Sequence, residues 1–247
     1  MELLEKLLDT LPDGEVHKVL IGLNWTAVVT VVDGVKRCGL ASTLGGNHEH
    51  HGVPDVPEAG SLETFSGREL ANFVRSSSAT LASVGAAALN ALLPLYPETW
   101  VDINAEHVIA EHGAGKTVAL VGSFPFVQRL RPSLGKLYVI ERNPQAGDLP
   151  EEAAPDILPA ADVVAITAMT LINHSLENLL RLCSPDATII LLGPSTPLSP
   201  LLFEYGVNLL SGSIVTDIEP VLCAISQGAN FRQVHRAGVR LVTMTQM

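Results

Sequence analysis

The sequence predicts an α/β fold in which a Rossmann-like domain with a parallel sheet follows a small α+β domain. From residue 116 onward, short apolar runs alternate with helical patterns, as strands and crossover helices do in a parallel sheet. Two of these runs, at 118–121 and 189–192, end at a glycine that is followed by small polar residues and proline. Buried parallel strands read as continuous apolar runs, and ligands bind at their carboxyl ends. The second half therefore predicts where a ligand binds.

The first hundred residues predict the smaller domain. Asp33 and Gly34 form a hairpin signal between two apolar runs. Ser66 and Glu69 have the spacing of a capping box, which predicts the start of a helix. The predicted elements are a helix at 2–11, strands at 17–32 and 35–42, an irregular connection at 44–60, and helices at 66–75 and 78–93. The last of these helices is rich in small residues, which predicts that another element packs closely against it.

The rest of the chain predicts the larger domain. A change of pattern near residue 100 divides the chain into a first domain at 1–100 and a second at 101–247, with the junction over 100–116. The predicted strands lie at 117–121, 137–140, 162–167, 187–192, 206–210 and 239–244. The predicted helices lie at 124–131, 173–183, 199–205 and 218–227. We expect these strands to form one parallel sheet.

The composition excludes several classes of protein. The chain has 247 residues, 47% of them hydrophobic, and a net charge of −11, which makes it a poor partner for nucleic acid or anionic lipid. No run approaches the roughly 18 apolar residues of a membrane-spanning helix, and the start is amphipathic rather than like a signal peptide. Its three widely spaced cysteines fit reduced thiols and give no thiolate cluster for soft metals. We therefore expect a cytoplasmic protein without a membrane partner.

The turn after the first strand of the larger domain is a candidate ligand site. Gly122 allows a sharp turn, and Ser123 and Phe124 lead to a proline that suits the first turn of a helix. The free amides at such a helix start can receive an anion or a polar ligand. Glu141 lies 19 positions after Gly122, where Rossmann domains place an acidic residue against a ribose. The dinucleotide fingerprint needs three glycines and only one is present, so an ordinary tight turn and a solvated Glu141 are the alternatives.

Polar residues also follow the next two predicted strands. Thr167, Thr170 and Asn173 come after the strand at 162–167, and capping of the next helix is the alternative role of Asn173. Gly193 is followed by Ser195 and Thr196, with a proline on either side of the two hydroxyls. Because proline fixes the backbone, this loop is suited to hydrogen bonding with a ligand. Its alternative role is only to begin the next helix.

Two further groups could hold a cation. Gly212 and Asp217 follow the strand at 206–210, and Asp217 could face the same crevice as Glu141, so that two carboxylates bind a cation; capping of a helix is its alternative role. His48, His50 and His51 lie within four consecutive residues. Imidazole suits divalent transition metals, whereas a solvated histidine-rich loop is the alternative.

Several motifs together resemble a known family. They are VGAAALNA at 84–91, VGSFP at 121–125, TLIN at 170–173, LGPSTP at 192–197 and LSG at 210–212. The chain is similar over nearly its whole length to the heavy-metal-chelation family of unknown function, domain of unknown function 364. The resemblance implies an enolase-N-terminal-like first domain and a Rossmann-like second domain.

The resemblance also implies a ligand crevice between the two domains. The loops at Gly122, Asn173, Gly193 and Gly212 would line this crevice. Since the chain has no paired cysteines, a metal would be held by oxygen and imidazole, or would arrive with a chelating small molecule.

Two functions of different classes follow from these features. The first is binding of a metal ion, a divalent transition metal for example, or of a metal-chelating small molecule between the domains. The alternative is an enzyme that uses an adenosine-bearing cofactor, S-adenosylmethionine or NAD, with Glu141 on the ribose. No catalytic residue is predicted, because no general base or nucleophile elbow stands out. A third hypothesis is that the small-residue helix at 78–93 builds an interface, either with a second copy of the chain in a homo-oligomer such as a dimer, or between the two domains.

Overall fold

The computed structural model describes residues 2–45 and 52–246. These residues form two β-sheets: a three-stranded antiparallel sheet near the N-terminus and an eight-stranded, mostly parallel sheet in the remainder. This arrangement confirms the predicted α/β class. Across the described ranges, no helix is long and apolar enough to cross a membrane.

The smaller layer contains the antiparallel sheet and three helices. Its elements are α1 (Glu2–Asp9), β1 (Glu15–Ile21), β2 (Trp25–Val32), β3 (Val35–Ser42), α2 (Gly67–Asn72) and α3 (Ala79–Leu92). The capping box predicted from Ser66 and Glu69 is present at the start of α2. The helix continues as a 3-10 turn over Phe73–Arg75.

The larger layer contains the eight-stranded sheet and the remaining helices. Its strands are β4 (Trp100–Val101), β5 (Thr117–Val121), β6 (Lys136–Glu141), β7 (Leu149–Pro150), β8 (Val163–Thr167), β9 (Thr188–Leu192), β10 (Leu209–Val215) and β11 (Val239–Thr245). Its α-helices are α4 (Ala105–Gly113), α5 (Val127–Leu130), α6 (Ala154–Ile157), α7 (Met169–Ile172), α8 (Leu176–Leu182), α9 (Ile218–Ser226) and α10 (Phe231–Gly238). The predicted helix at 199–205 is a 3-10 helix, Pro200–Tyr205.

Two glycines let α3 lie close to its neighbours. A Cβ atom added to Gly39 on β3 would lie 2.1 Å from the carbonyl oxygen of Ala87, and one added to Gly85 would lie 1.9 Å from the amide nitrogen of Val74. Side chains at these positions would therefore push α3 away from β3 and from the turn that contains Val74. Ala87 is fully buried within its own chain, and the homo-oligomer stays a prediction.

The larger sheet has the strand order β4-β11-β10-β9-β8-β5-β6-β7. Strands β5 to β10 are parallel, but β11 runs antiparallel to β10, so the expectation of an entirely parallel sheet is wrong for the last strand. The reason is the connection: α9 and α10 pack on each other and return the chain to the end at which β10 finished. Val215 and Val239 are consequently paired.

One hydrophobic core passes through both layers. It includes side chains of α1 and α3 together with those of β8 and β9. A second contact joins α9 and α10 to the smaller sheet, where the rings of Trp25 and Phe231 lie 5.3 Å apart. Trp100 and Val101 form β4 of the larger sheet. The division of the chain into two domains at residue 100 stays a prediction.

Several predicted elements differ from the structure. The single strand predicted at 17–32 is two strands, because the amide of Gly22 bonds the carbonyl of Trp25 and closes a turn. The strand predicted at 206–210 lies at Leu209–Val215. The predicted junction at 100–116 contains β4 and α4, and α10 was not predicted.

The close approach of Gly85 to Val74 can be tested by substitution. We expect Gly85→Ala to lower the free energy of unfolding by about 3 kcal/mol, because backbone atoms cannot move away from the new methyl group. Urea denaturation measures this change. Gly60→Ala is the control: its φ is +95° but no atom lies within 4 Å of the added Cβ, so it carries only a conformational cost of about 1 kcal/mol. Equal losses in both variants would contradict the proposed contact.

Candidate functional site

The strand order creates a crevice at the carboxyl end of β5. From β5 the chain passes to β6 on one side, whereas β8 lies on the other, so the connections diverge at this point. Ligands of open α/β sheets bind at such a point. A cavity of about 280 Å³, here called the first cavity, lies at these strand ends and is bordered by Leu44 of the smaller layer. Six residues predicted for the site line it: Gly122, Ser123, Glu141, Thr167, Thr170 and Asn173.

Gly122 lies directly after β5, close to Thr167 at the end of β8. Its φ is +110°, a conformation that glycine adopts without strain. A Cβ atom at this position would lie 2.9 Å from the Cβ of Thr167. The glycine is therefore required both by the turn and by the neighbouring strand.

Glu141 is held by backbone amides at the end of β6. Its carboxylate accepts hydrogen bonds from the N–H of Ser123 and, at 3.0 Å, from the N–H of Arg142. The guanidinium of Arg142 pairs in turn with Glu151, which also lines the first cavity. A ribose or phosphate at the Gly122 turn would have to compete with Glu141 for the amide of Ser123.

The segment from β8 to α8 forms another wall of the first cavity. Thr170 donates from its Oγ1 to the carbonyl of Thr167 at 2.6 Å. Asn173 accepts at its Oδ1 from the amide and hydroxyl of Ser175, so it forms a turn before α8 rather than the N-cap. Within the described ranges no group accepts a hydrogen bond from the Nδ2 of Asn173, and this donor is available to a ligand.

His174 connects this wall to the smaller layer. Its φ is +63°, and its Nε2 lies 2.7 Å from the carbonyl oxygen of Val74.

Two further residues of the first cavity, Arg142 and Glu151, were not predicted from the sequence. Arg142 follows the strand predicted at 137–140, which was the available signal, whereas Glu151 follows β7, a strand that was not predicted.

The predicted site residues do not all lie together. Phe124, Gly193 and Gly212 line another cavity of about 240 Å³, here called the second cavity. Along β5, Ala119 faces the core shared with α8, whereas Val118 and Leu120 face the core formed with α4 and α5. The two cavities lie on these two faces of the sheet. Gly212 is inside β10, paired with Val242, and not in the predicted loop.

The hydroxyls of Ser195 and Thr196 are buried between the layers, each residue being 2% exposed. The Oγ of Ser195 accepts from the amide of Ser42 at 2.8 Å, and its carbonyl accepts from the Nδ2 of Asn90 at 3.0 Å. The Oγ1 of Thr196 is buried and has no partner among the described residues. The structure therefore places Ser195 and Thr196 in the contact between the layers and at neither cavity wall, whereas Gly193 of the same loop lines the second cavity.

Asp217 and Glu141 do not share a crevice. Asp217 follows β10 and lies beside Gly238, exposed to solvent. Strands β10 and β6 are separated by β9, β8 and β5, which is four inter-strand spacings, or about 19 Å. The expectation that both carboxylates bind one cation is therefore wrong. Asp217 occupies the N-cap position of α9 without a side-chain capping bond.

The other predicted metal ligands are outside the part of the chain that is described. His48, His50 and His51 fall between residues 45 and 52, and their role as metal ligands stays a prediction. Among the residues that are described, no group of three or more His, Cys, Asp or Glu side chains is arranged to hold a metal ion. Burial raises the pKa of the Cys38 thiol to about 12 and that of Cys183 to about 11, which disfavours the thiolates that soft metals bind.

The fold defines this chain as an α/β protein in which a small antiparallel layer packs against a Rossmann-like sheet. It belongs to the DUF364 family, since the model of that family, described as "Putative heavy-metal chelation", matches residues 104–244. The DUF4213 model carries the same description and matches residues 4–93. These matches confirm the predicted resemblance.

Similar proteins match nearly the whole chain. An uncharacterized protein of Methanocaldococcus jannaschii is 28% identical over 233 residues, which cover 90% of this chain and 88% of that protein. The crystal structure of a DUF364 protein of unknown function from Desulfitobacterium hafniense has a TM-score of 0.82 and 27% identity, covering 99% of this chain and 98% of the other. A Pyrococcus horikoshii protein of the same family, with a TM-score of 0.80 and 22% identity over 99% and 98% of the two chains, shows the fold alone. None of these matches supports the alternative of an adenosine-bearing cofactor.

The accessibility of the three thiols gives a testable prediction. We expect one thiol per folded chain to react rapidly with Ellman's reagent at pH 8, and Cys223→Ser to remove that reaction, because Cys223 is the exposed cysteine. A thiol with a pKa of about 11 is about one part in a thousand thiolate at pH 8, and thiolate is the reactive form. Rapid reaction of two or three thiols in the folded protein would contradict the burial of Cys38 and Cys183.

Proposed function

We propose that this protein binds a metal ion as the complex of a small polar chelating molecule, held in the first cavity between the layers. The observation that supports this proposal is the convergence of Ser123, Glu141, Thr170 and Asn173 from three separate strand ends on one cavity. Ligand sites commonly combine a concave surface with a few polar groups of this kind. The family description, heavy-metal chelation, fits the same site.

The groups around the first cavity suit a chelate better than a bare ion. Glu141 already accepts two backbone N–H bonds, and Glu151 is paired with Arg142. A carboxylate has about four lone-pair positions, so Glu141 retains capacity for one or two further bonds but not for a full coordination shell. The bound molecule would supply the remaining metal ligands.

The size of the first cavity agrees with this proposal. At about 30 Å³ for each water molecule in the liquid, 280 Å³ is the volume of about nine waters, which exceeds a single ion and suits a small polycarboxylate or amino-acid-like chelator. The unpartnered Nδ2 of Asn173 would donate to an acceptor on this molecule. The oxygens of Ser123 and Thr170 offer further hydrogen bonds.

Metal retention tests the proposal directly. Untagged protein is incubated with Ni²⁺ alone, or with Ni²⁺ and a small-molecule filtrate of cells, and is then desalted for elemental analysis and mass spectrometry. We expect retention of nickel to require the filtrate and to occur with one organic molecule per metal. Stabilisation should be about 2.7 kcal/mol at a hundredfold excess of the complex over its Kd. Retention of nickel without an organic molecule would contradict the chelate.

Asn173→Asp tests the cavity. The substitution preserves the Oδ1 that accepts from Ser175 but replaces the Nδ2 donor with a second oxygen. We expect retention of the complex to fall about tenfold, since the loss of one hydrogen bond costs about 1 kcal/mol and the added charge repels an anionic chelator. Asn178→Asp, on the exposed face of α8, is the matched control and should retain the complex. Equal retention by both variants would place the ligand elsewhere.

A triple variant tests the histidine motif separately. If the bound molecule carries the metal ligands, replacement of His48, His50 and His51 by alanine should leave retention of the nickel complex unchanged. Elemental analysis of the triple variant beside the wild type measures this. Loss of nickel with retention of the organic molecule would show that these histidines complete the coordination of the metal.

A further inference from the structure

The second cavity is a separate concave surface that the proposed function does not use. Its volume is about 240 Å³, and it lies at the ends of β5 and β9 on the side of the sheet that α4 and α5 cover. Its apolar lining includes Leu192, Leu241 and Val242. None of these residues lines the first cavity.

Aromatic rings form the walls of the second cavity. The rings of Phe124 and Phe126 are nearly parallel, with centroids 5.2 Å apart and an interplanar angle of 14°. Phe231, at the start of α10, lines the cavity as well. Gly193 has a φ of +116° and no atom within 4 Å of where its Cβ would be, so its backbone is open to the cavity. Half-buried rings around an open space favour a flat apolar molecule, because aromatic groups gain from offset stacking.

The charges around the second cavity favour an anion. Arg129 and Glu106 pair with each other through two short hydrogen bonds and so cancel their charges. Arg232 also lines the cavity, is exposed, and makes neither an ion pair nor a side-chain hydrogen bond with any described residue. In a chain with a net charge of −11, this unpaired guanidinium provides a local positive charge. The first turn of α4, which begins at Ala105 beside the cavity, adds the positive end of a helix dipole.

We propose that the second cavity binds a small planar aromatic anion, such as an aromatic carboxylate. Its ring would lie among Phe124, Phe126 and Phe231, and its carboxylate would pair with the guanidinium of Arg232. A volume of 240 Å³ corresponds to about eight waters at about 30 Å³ each, which accommodates one or two fused rings. No described residue lines both cavities, so this proposal does not rest on the chelate proposed for the first cavity.

Calorimetric titration with 2-naphthoate, and with the neutral 2-naphthamide as the uncharged counterpart, tests this proposal. We expect saturable 1:1 binding of both to the wild type. Arg232→Gln should weaken naphthoate about fivefold and leave naphthamide unchanged, since an ion pair to an exposed arginine contributes modestly. Arg236→Gln removes the same charge from the exposed surface of α10 outside the cavity, and should change neither.

Two further variants locate the bound ring. Phe126→Leu keeps an apolar side chain but removes the stacked ring, and should weaken both probes; its thermal unfolding shows whether the fold is retained. Asn173→Asp alters the first cavity and should leave naphthoate binding unchanged. The proposal is overturned by the absence of saturable naphthoate binding, by equal losses in the two arginine variants, by a loss of naphthamide in Arg232→Gln, or by a loss of naphthoate in Asn173→Asp.

Discussion

The packing of the small antiparallel layer on the strand-end loops of the larger sheet determines the rest of this structure. Its centre is Ser195, which accepts from the amide of Ser42 and, through its carbonyl, from Asn90, so that three segments meet at one buried residue. A buried polar group that loses its partner costs about 1–3 kcal/mol, which makes such a contact specific in position. The contact between Ser195 and Ser42 holds the end of β3 in place, and so it also positions Leu44, two residues later, at the border of the first cavity. Without this contact, that cavity would be an open edge.

Most strands of the larger sheet could be predicted because their signals are local. An apolar run that ends at a glycine, such as 118–121 before Gly122, needs no tertiary information to be recognised as a buried strand. The direction of β11 could not be predicted, since it depends on two helices packing together before the chain returns. The helix α10 did have a signal, the capping pair Asn230 and Gln233, which the structure forms. The break between β1 and β2 had only Gly22, and a single glycine in an apolar run does not distinguish a turn from a bulge.

The candidate site was predictable to the extent that strand order could be assumed. Gly122, Glu141 and Thr167 end three adjacent strands, and adjacent parallel strands bring their carboxyl ends to one edge. Asp217 was wrongly predicted to lie near Glu141, because no local sequence pattern shows how far apart two strands lie in the sheet. Ser195 was misinterpreted for another reason: a rigid loop of hydroxyls at a strand end has the same sequence whether it faces a ligand or a neighbouring layer. Only the position of β3 distinguishes these two roles.

One short loop after β5 contributes consecutive residues to the two cavities. Ser123 lines the first cavity and Phe124 the second, while Gly122 between β5 and this loop approaches Thr167 too closely for any other residue. The amide of Ser123 is in turn held by Glu141. Since the same backbone forms part of both walls, a ligand that displaced Glu141 would free the Ser123 amide and alter the support of Phe124. Any energetic coupling between the two sites would then be reciprocal, because each ligand changes the affinity of the other by the same factor.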